Sequence, residues 1–77
     1  MKFPSLDLHG VRHDEVPDIL AKFLWKYWAY KDALVIITGY SMIMKKRVME
    51  VLKMYNTRKI EESDGHNWGR IRVWLDN

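Results

Sequence analysis

An acid and an imidazole lie two residues apart near the start of the chain, at Asp7 and His9. In an extended strand both side chains would project from one side, while Leu6 and Leu8 would point to the other side, where a core can cover them. A carboxylate beside an imidazole can do acid–base chemistry, because histidine changes charge near neutral pH. The same spacing also suits a strand-end ion pair, and by itself it favours that plainer interpretation.

Two strands and a helix would have to position this pair. The segment Phe3–His9 predicts a short strand ended by Gly10, and the apolar run Leu34–Ile37 predicts a second strand followed by Thr38-Gly39. With a helix between them they make a βαβ unit, whose ligand site is expected at the carboxyl ends of the strands. The sequence therefore predicts two neighbouring glycine turns at one edge of a sheet.

The intervening helix is predicted to begin at Asp14, a good N-cap, with Pro17 tolerated in the first turn. Its apolar stripe recurs at three- and four-residue spacing, at Val16, Ile19, Leu20, Phe23, Leu24 and Tyr27. Trp25 and Trp28 flank that stripe. They fit the edge of a small core better than a base-stacking surface.

A second helix is predicted from Met42 to Tyr55, with Ser41 as its cap. Three cations, Lys45, Lys46 and Arg47, fall in its first turns, where the helix dipole prefers acids. They are either a solvated face or the partners of a phosphate at the helix N-terminus, together with backbone N–H groups from Gly39 to Ser41. Charge alone does not separate the two interpretations.

The remaining segment predicts a hairpin: a strand from Arg58 to Glu62, a turn at residues 63–67, and a strand from Gly69 to Leu75. In the last strand Ile71, Val73 and Leu75 share one face, whereas Arg70, Arg72 and Trp74 share the other. The second set suits a nucleic-acid platform, although solubilising arginines on an edge strand explain it slightly better. The order βαβαββ, with both helices on one side, predicts a two-layer α/β sandwich of the α+β type.

Composition narrows the class of protein. At 77 residues the chain predicts a single domain over residues 1–77, with an ordered core at about 5–76. The absence of cysteine excludes disulfides and thiolate metal sites and makes a cytoplasmic location the default. No apolar run approaches the roughly 20 residues of a membrane helix. The net charge of +3 is compatible with a nucleic-acid partner, and we expect a monomer.

With this order in view, the chain resembles the Smr (small MutS-related) domain family. Leu6-Asp7-Leu8-His9-Gly10 matches the LDxHG signature, and Thr38-Gly39-Tyr40-Ser41 stands at the HGxG motif. The helix from Ile43 to Lys53 is similar to the helix that follows that motif, and the resemblance covers Leu6 to Leu75. It implies a fold similar to the C-terminal domain of translation initiation factor three and a nicking or RNA-cleaving endonuclease activity.

The resemblance implies that Asp7 and His9 are catalytic and that the second motif and the following helix contact nucleic acid. Together with the glycine turns and the arginines noted above, the candidate nucleic-acid contacts are Gly10, Arg12, Thr38, Gly39, Tyr40, Ser41, Lys45, Lys46, Arg70 and Arg72. The chain departs from the family at Thr38, where His is usual, at Tyr40, where Lys is usual, and at Ser41, where the second Gly is usual. The loop is also one residue shorter. These departures affect catalysis more than binding.

The leading hypothesis is an endonuclease that acts on RNA or on structured DNA. Asp7 is the one carboxylate evident at the site, which is few for a two-metal nuclease, so RNA is favoured. No cofactor is required, although a single Mg²⁺ on Asp7 is compatible with the site.

Two other functions remain open. The first alternative is a non-catalytic RNA- or DNA-binding module that engages ribosomal or branched substrates, supported by the altered second motif. The second is a protein-interaction domain that uses Trp25, Trp28 and Trp68. Steep salt dependence of binding would favour a nucleic-acid partner, and salt-insensitive binding would favour a protein partner.

Overall fold

The computed structural model describes residues 3–62 and 69–76. Within them the elements follow the predicted order βαβαββ, with a single 3₁₀ turn, His13–Glu15, before the first helix. The elements are β1 (Ser5–Asp7), α1 (Val16–Lys26), β2 (Leu34–Ile37), α2 (Met42–Leu52), β3 (Thr57–Glu62) and β4 (Arg70–Leu75).

The four strands form one mixed sheet in the order β1-β2-β4-β3. β1 runs parallel to β2, whereas β4 runs antiparallel to both β2 and β3. β2 is therefore central, as its uninterrupted apolar run predicted, because a strand with neighbours on both sides and little solvent access favours apolar side chains.

One face of the sheet packs against both helices. Leu34 pairs with Val73 and Ile36 pairs with Ile71, and all four side chains are fully buried. The core that joins this face to the helices consists of Leu8, Val16, Leu20, Phe23, Leu24, Leu34, Ile36, Met44, Val48, Val51, Leu52, Ile71, Val73 and Leu75. The predicted two-layer sandwich is confirmed.

The other face of the sheet carries the polar side chains. Arg72 pairs with Val35 and with Glu61, and Arg70 pairs with Ile37. Directly paired residues point to the same side of a sheet, so the separation of Ile71 from Arg70 and Arg72 follows the alternation that the sequence predicted. Asp7 also pairs with Ile37, which places it on this open face, two strands from Arg70.

The boundaries of five elements differ from the predictions; β3 begins one residue earlier than predicted and β4 one residue later. Asp14 is not the N-cap of α1, because its carboxylate pairs with Arg12 at 3.3 Å and a 3₁₀ turn precedes the helix. β1 ends at Asp7, two residues early. α2 ends at Leu52, and Tyr55 closes a turn by donating its N–H to the Leu52 carbonyl at 3.1 Å. The predicted turn at residues 63–67 lies outside the described residues.

Both α-helices have 11 residues. In the part of the chain that the structure describes, no helix has the length and apolar character needed to cross a bilayer.

Candidate functional site

The two glycine turns predicted from the sequence meet at one edge of the sheet. Gly10 follows β1 with φ +80°, and Gly39 follows β2 with φ +68°, a left-handed conformation that strains other residues. A Cβ placed on Gly39 would lie 3.7 Å from the Cβ of His9. The parallel pairing of β1 with β2 therefore brings the second turn into contact with the candidate catalytic histidine.

Asp7 shapes the first turn through its own side chain. Its Oδ1 accepts a hydrogen bond from the backbone N–H of His9 at 3.0 Å. This is an Asx turn, in which a short acidic side chain organises the backbone two residues on. This bond joins Asp7 to the His9 backbone rather than to the imidazole ring, and both residues are exposed. The His9 ring is thus accessible to a ligand, with a carboxylate anchored beside it.

The second turn is held by a residue that the sequence did not single out, Gly69. Its carbonyl accepts hydrogen bonds from the Thr38 N–H at 2.8 Å, the Gly39 N–H at 3.0 Å and the Thr38 hydroxyl at 3.1 Å. A Cβ on Gly69 would lie 3.5 Å from the Gly39 carbonyl, so the two backbones pack closely. A glycine just before a strand is the sequence signal for such close backbone contact.

This arrangement corrects two expectations. The Gly39 N–H was expected to be available to a phosphate, but it donates to Gly69 instead. Thr38 is only 2% exposed, and its hydroxyl bonds the carbonyls of Gly39 and Gly69. Thr38 therefore holds the turn in place, and its side chain does not reach the surface where a ligand would bind.

The N-terminus of α2 begins directly after this turn. Ser41 caps the helix as predicted, because its Oγ accepts the N–H of Met44 at 3.0 Å. The first turn of α2 contains no acidic residue, so nothing there offsets the positive end of the helix dipole. The capped helix start is therefore an electropositive neighbour of the two glycine turns.

The three cations on α2 separate into two environments. Lys46 and Arg47 are exposed, and a guanidinium nitrogen of Arg47 lies 3.8 Å from a carboxylate oxygen of Glu50. Lys45 is only 6% exposed, because it falls on the buried stripe three residues before Val48. The cationic surface that a ligand can reach on this helix thus consists of Lys46 and Arg47, and Lys45 is largely enclosed by the fold.

Arg12 follows the first turn and lies on the surface. Its guanidinium pairs with the Asp14 carboxylate at 3.3 Å, and both side chains are more than half exposed. Exposed ion pairs of this kind contribute little to stability. Arg12 can therefore exchange Asp14 for an incoming phosphate at small cost.

The open sheet face forms a second cluster of charge. The Arg72 guanidinium forms an ion pair with the Glu61 carboxylate, and the Lys59 ammonium lies 3.7 Å from an oxygen of the same carboxylate. Trp74 has the Lys59 ammonium 5.1 Å and the Arg72 guanidinium carbon 5.9 Å from its ring centroid. The sequence predicted the arginines and the tryptophan on one face, but it missed Lys59 and Glu61, whose placement depends on the register of β3 against β4.

A metal site would need several ligands in one place. Among residues 3–62 and 69–76, no group of three or more His, Cys, Asp or Glu side chains is placed to hold a metal ion. The donor set around Asp7 therefore does not form a multi-ligand site.

Comparison with known proteins bears on the fold. No protein-family model matches the sequence, and no curated protein matches it. Among solved structures, the chain is similar to the Smr domain of Thermus thermophilus MutS2, at 16% sequence identity and a TM-score of 0.82, over 96% of this chain and 99% of that one. At that identity the likeness establishes the fold alone. The resemblance first drawn from the LDxHG motif is thus confirmed for the architecture: the chain folds as an Smr-like domain.

Proposed function

We propose that this domain binds nucleic acid at the edge where β1 and β2 end and cleaves it there, RNA in preference to DNA. The observation that carries the proposal is the contact between the two glycine turns. It places the exposed His9 beside Gly39, next to the N-terminus of α2. An imidazole, an anchored carboxylate and an electropositive helix start are the groups that phosphodiester cleavage needs.

In the binding step, the phosphate backbone lies across the two turns. Lys46, Arg47 and Arg12 are the exposed cations within the two turns and the helix start, and they neutralise phosphate charge. Arg70 and Arg72 extend the positive surface over the open sheet face. Thr38 acts indirectly by holding the second turn, and Gly10 acts by allowing the first turn.

In the cleavage step, RNA supplies its own nucleophile. The 2′-oxygen bonds to phosphorus, the bond from phosphorus to the 5′-oxygen breaks, and the products are a 2′,3′-cyclic phosphate and a 5′-hydroxyl. His9 accepts the proton from the 2′-hydroxyl, and a water molecule delivers the proton that the leaving 5′-oxygen takes up. Asp7 fixes the backbone of His9, and its charge stabilises the imidazolium that forms. Lys46 stabilises the charge that develops on the phosphoryl oxygens.

The direct test is an assay of end-labelled RNA and of DNA with the same sequence, each with and without EDTA. We expect cleavage of the RNA into fragments that end in a cyclic phosphate, at a rate that EDTA leaves unchanged. A rate that falls with EDTA would instead show that cleavage requires a divalent cation. Binding of RNA without any cleavage would contradict the catalytic part of the proposal.

One observation favours a second candidate, a non-catalytic nucleic-acid-binding module. Position 38 carries a buried threonine whose hydroxyl is bonded to backbone carbonyls, so it supplies neither a proton carrier nor a phosphate donor. The binding surface formed by Lys46, Arg47 and Arg12 does not depend on that position. The same assay separates the two candidates, because a binding module leaves the RNA intact.

Lys46→Ala is expected to weaken binding and to make it less sensitive to salt. If Lys46 contacts one phosphate, its loss lowers the slope of log affinity against log salt by about one, for RNA and DNA alike. Fluorescence anisotropy over a series of salt concentrations measures that slope. Lys53→Ala is the matched control, since Lys53 is also exposed but lies at the opposite end of α2. Equal effects of the two variants would place the phosphates elsewhere.

Ser41→Asp is expected to separate stability from binding. Aspartate caps a helix as well as serine does and suits the positive end of the dipole, so the free energy of unfolding is retained. The added negative charge opposes an approaching phosphate and lowers affinity by about two- to fivefold. Urea unfolding and anisotropy measure the two effects. Ser41→Asn keeps the cap without the charge, and a similar loss of affinity in that variant would contradict the electrostatic explanation.

A further inference from the structure

The loop that leads into α2 and the first turn of that helix expose large apolar side chains. Six large hydrophobic residues of the described chain are exposed, and three of them fall within four consecutive positions: Tyr40 at 70%, Met42 at 65% and Ile43 at 67%. We call these three residues the apolar tip. Their neighbour Gly39 faces His9, since a Cβ placed on Gly39 would lie 3.7 Å from the Cβ of His9, so the apolar tip is adjacent to the candidate catalytic centre.

The apolar tip continues into the cationic surface of α2. Residues three and four apart are neighbours on a helix, so Ile43 lies one turn before Lys46 and Arg47, and Met42 lies one turn before Lys46. All four of these side chains are exposed. The solvent side of α2 thus presents apolar groups in its first turn and positive charge in its second. A partner that fits this surface has a flat or apolar group joined to an anionic group, and the two groups are separated by about one turn of α2.

We propose that the apolar tip is a docking surface for an unpaired nucleobase, next to a phosphate held by Lys46 and His9. This inference rests on the proposed function and adds a substrate class to it: single-stranded or unpaired nucleotides rather than a perfect duplex. A duplex buries the faces of its bases within the stack, whereas an unpaired base can stack on an aromatic side chain such as Tyr40. The adjacent cations select an anionic strand over a neutral apolar partner.

The test measures binding to a short labelled 2′-O-methyl RNA, which cannot supply the cleaving nucleophile, as a single strand and as a perfect duplex. We expect the native domain to prefer the single strand. Tyr40→Ala should weaken single-strand binding by about tenfold and leave duplex binding unchanged, because one stacked base contributes about that much. The salt slope should not change, since the phosphate contacts are intact. Tyr40→Trp should keep the affinity.

Two controls sharpen the result. Met54→Ser removes an apolar side chain that is 72% exposed but lies beyond the end of α2, and it should have no effect. A strand with one base removed should bind the native domain more weakly than the intact strand. The Tyr40→Ala variant should bind the strand that lacks a base no more weakly than it binds the intact strand. That result would show that the missing base and the missing ring normally contact each other.

The outcomes distinguish this inference from the proposed function. If the native domain binds RNA but Tyr40→Ala and Ile43→Ser bind single strands as well as it does, the docking surface is overturned and the proposed function stands. If the native domain binds no nucleic acid, both fail. If the two variants instead lose binding to vesicles that contain phosphatidylserine, the apolar tip is a membrane contact and the inference is overturned.

Discussion

His9→Ala is expected to lower the rate of RNA cleavage by about 10²- to 10⁴-fold, the contribution of a positioned general acid–base group. The His9 ring is exposed beside the second glycine turn, so its loss removes the proton carrier without removing core contacts. Single-turnover cleavage of labelled RNA measures the rate, and anisotropy measures affinity. Affinity should change far less than the rate, because the cations that hold the phosphates remain.

His13→Ala is the matched control for that variant. His13 lies in the 3₁₀ turn before α1, only four positions along the chain, and no step of the mechanism uses it. Its cleavage rate should equal that of the native domain. Equal rates in His9→Ala and in the native domain would remove His9 from the catalytic centre.

Asp7→Asn separates the two roles given to Asp7. The amide oxygen of asparagine can still accept the N–H of His9, so the Asx turn survives while the charge is lost. A rate between those of the native domain and His9→Ala would show that the charge assists the imidazole. A native rate in Asp7→Asn, with a loss only in Asp7→Ala, would limit Asp7 to holding the turn.

Ile36→Ala is expected to destabilise the domain by about 2–5 kcal/mol, the usual cost of truncating a buried isoleucine. Ile36 is 0% exposed in the central strand and pairs with Ile71 in the layer that packs on the helices. Folded proteins are stable by only about 5–15 kcal/mol, and small domains bury less surface than large ones. A large part of the molecules should therefore unfold at moderate temperature. Urea unfolding followed by tryptophan fluorescence measures the change.

Ile43→Ala provides the matched control, since the same side chain is removed from a site that is 67% exposed. It should shift the free energy of unfolding by no more than about 0.5 kcal/mol. A comparable loss in both variants would show that Ile43 also contributes to the core. That result would also weaken the case for the apolar tip as a docking surface.

The fold could be predicted where a local pattern determines it. The uninterrupted apolar run Leu34–Ile37 predicted the central strand with its observed boundaries, and Ser41 predicted the start of α2. The predicted start of α1 was wrong, because the Asp14 carboxylate pairs with Arg12 instead of capping the helix. The sequence does not rank the Arg12 guanidinium against the helix N–H groups as partners of Asp14. The end of α2 was wrong because the apolar spacing continues to Tyr55 after the helical hydrogen bonds have ended.

The proximity of Asp7, His9 and Gly39 could be predicted from the sequence, but the exposure of the cations near them could not. The motifs identified Asp7, His9 and Gly39, and the parallel pairing of β1 with β2 brings them together. The charge of Lys45 suggested a surface contact, whereas its helical phase places it on the buried stripe with Val48. On a short amphipathic helix, the charge of a residue can predict exposure while its position on the apolar stripe predicts burial. Only the packing of the neighbouring elements then decides whether the side chain is exposed or buried.

The Gly69 carbonyl that holds the second turn has a consequence for the order of assembly. Its bond to the Thr38 hydroxyl joins residues 31 positions apart, whereas Asp7, His9 and Gly39 all lie in the first part of the chain. Distant contacts require the closure of long loops, which costs entropy and slows their formation. A chain still emerging during synthesis would therefore carry Asp7, His9 and Gly39 without the residue that holds the second glycine turn. If the domain cleaves nucleic acid as proposed, that activity would arise only after the last strand has completed the sheet.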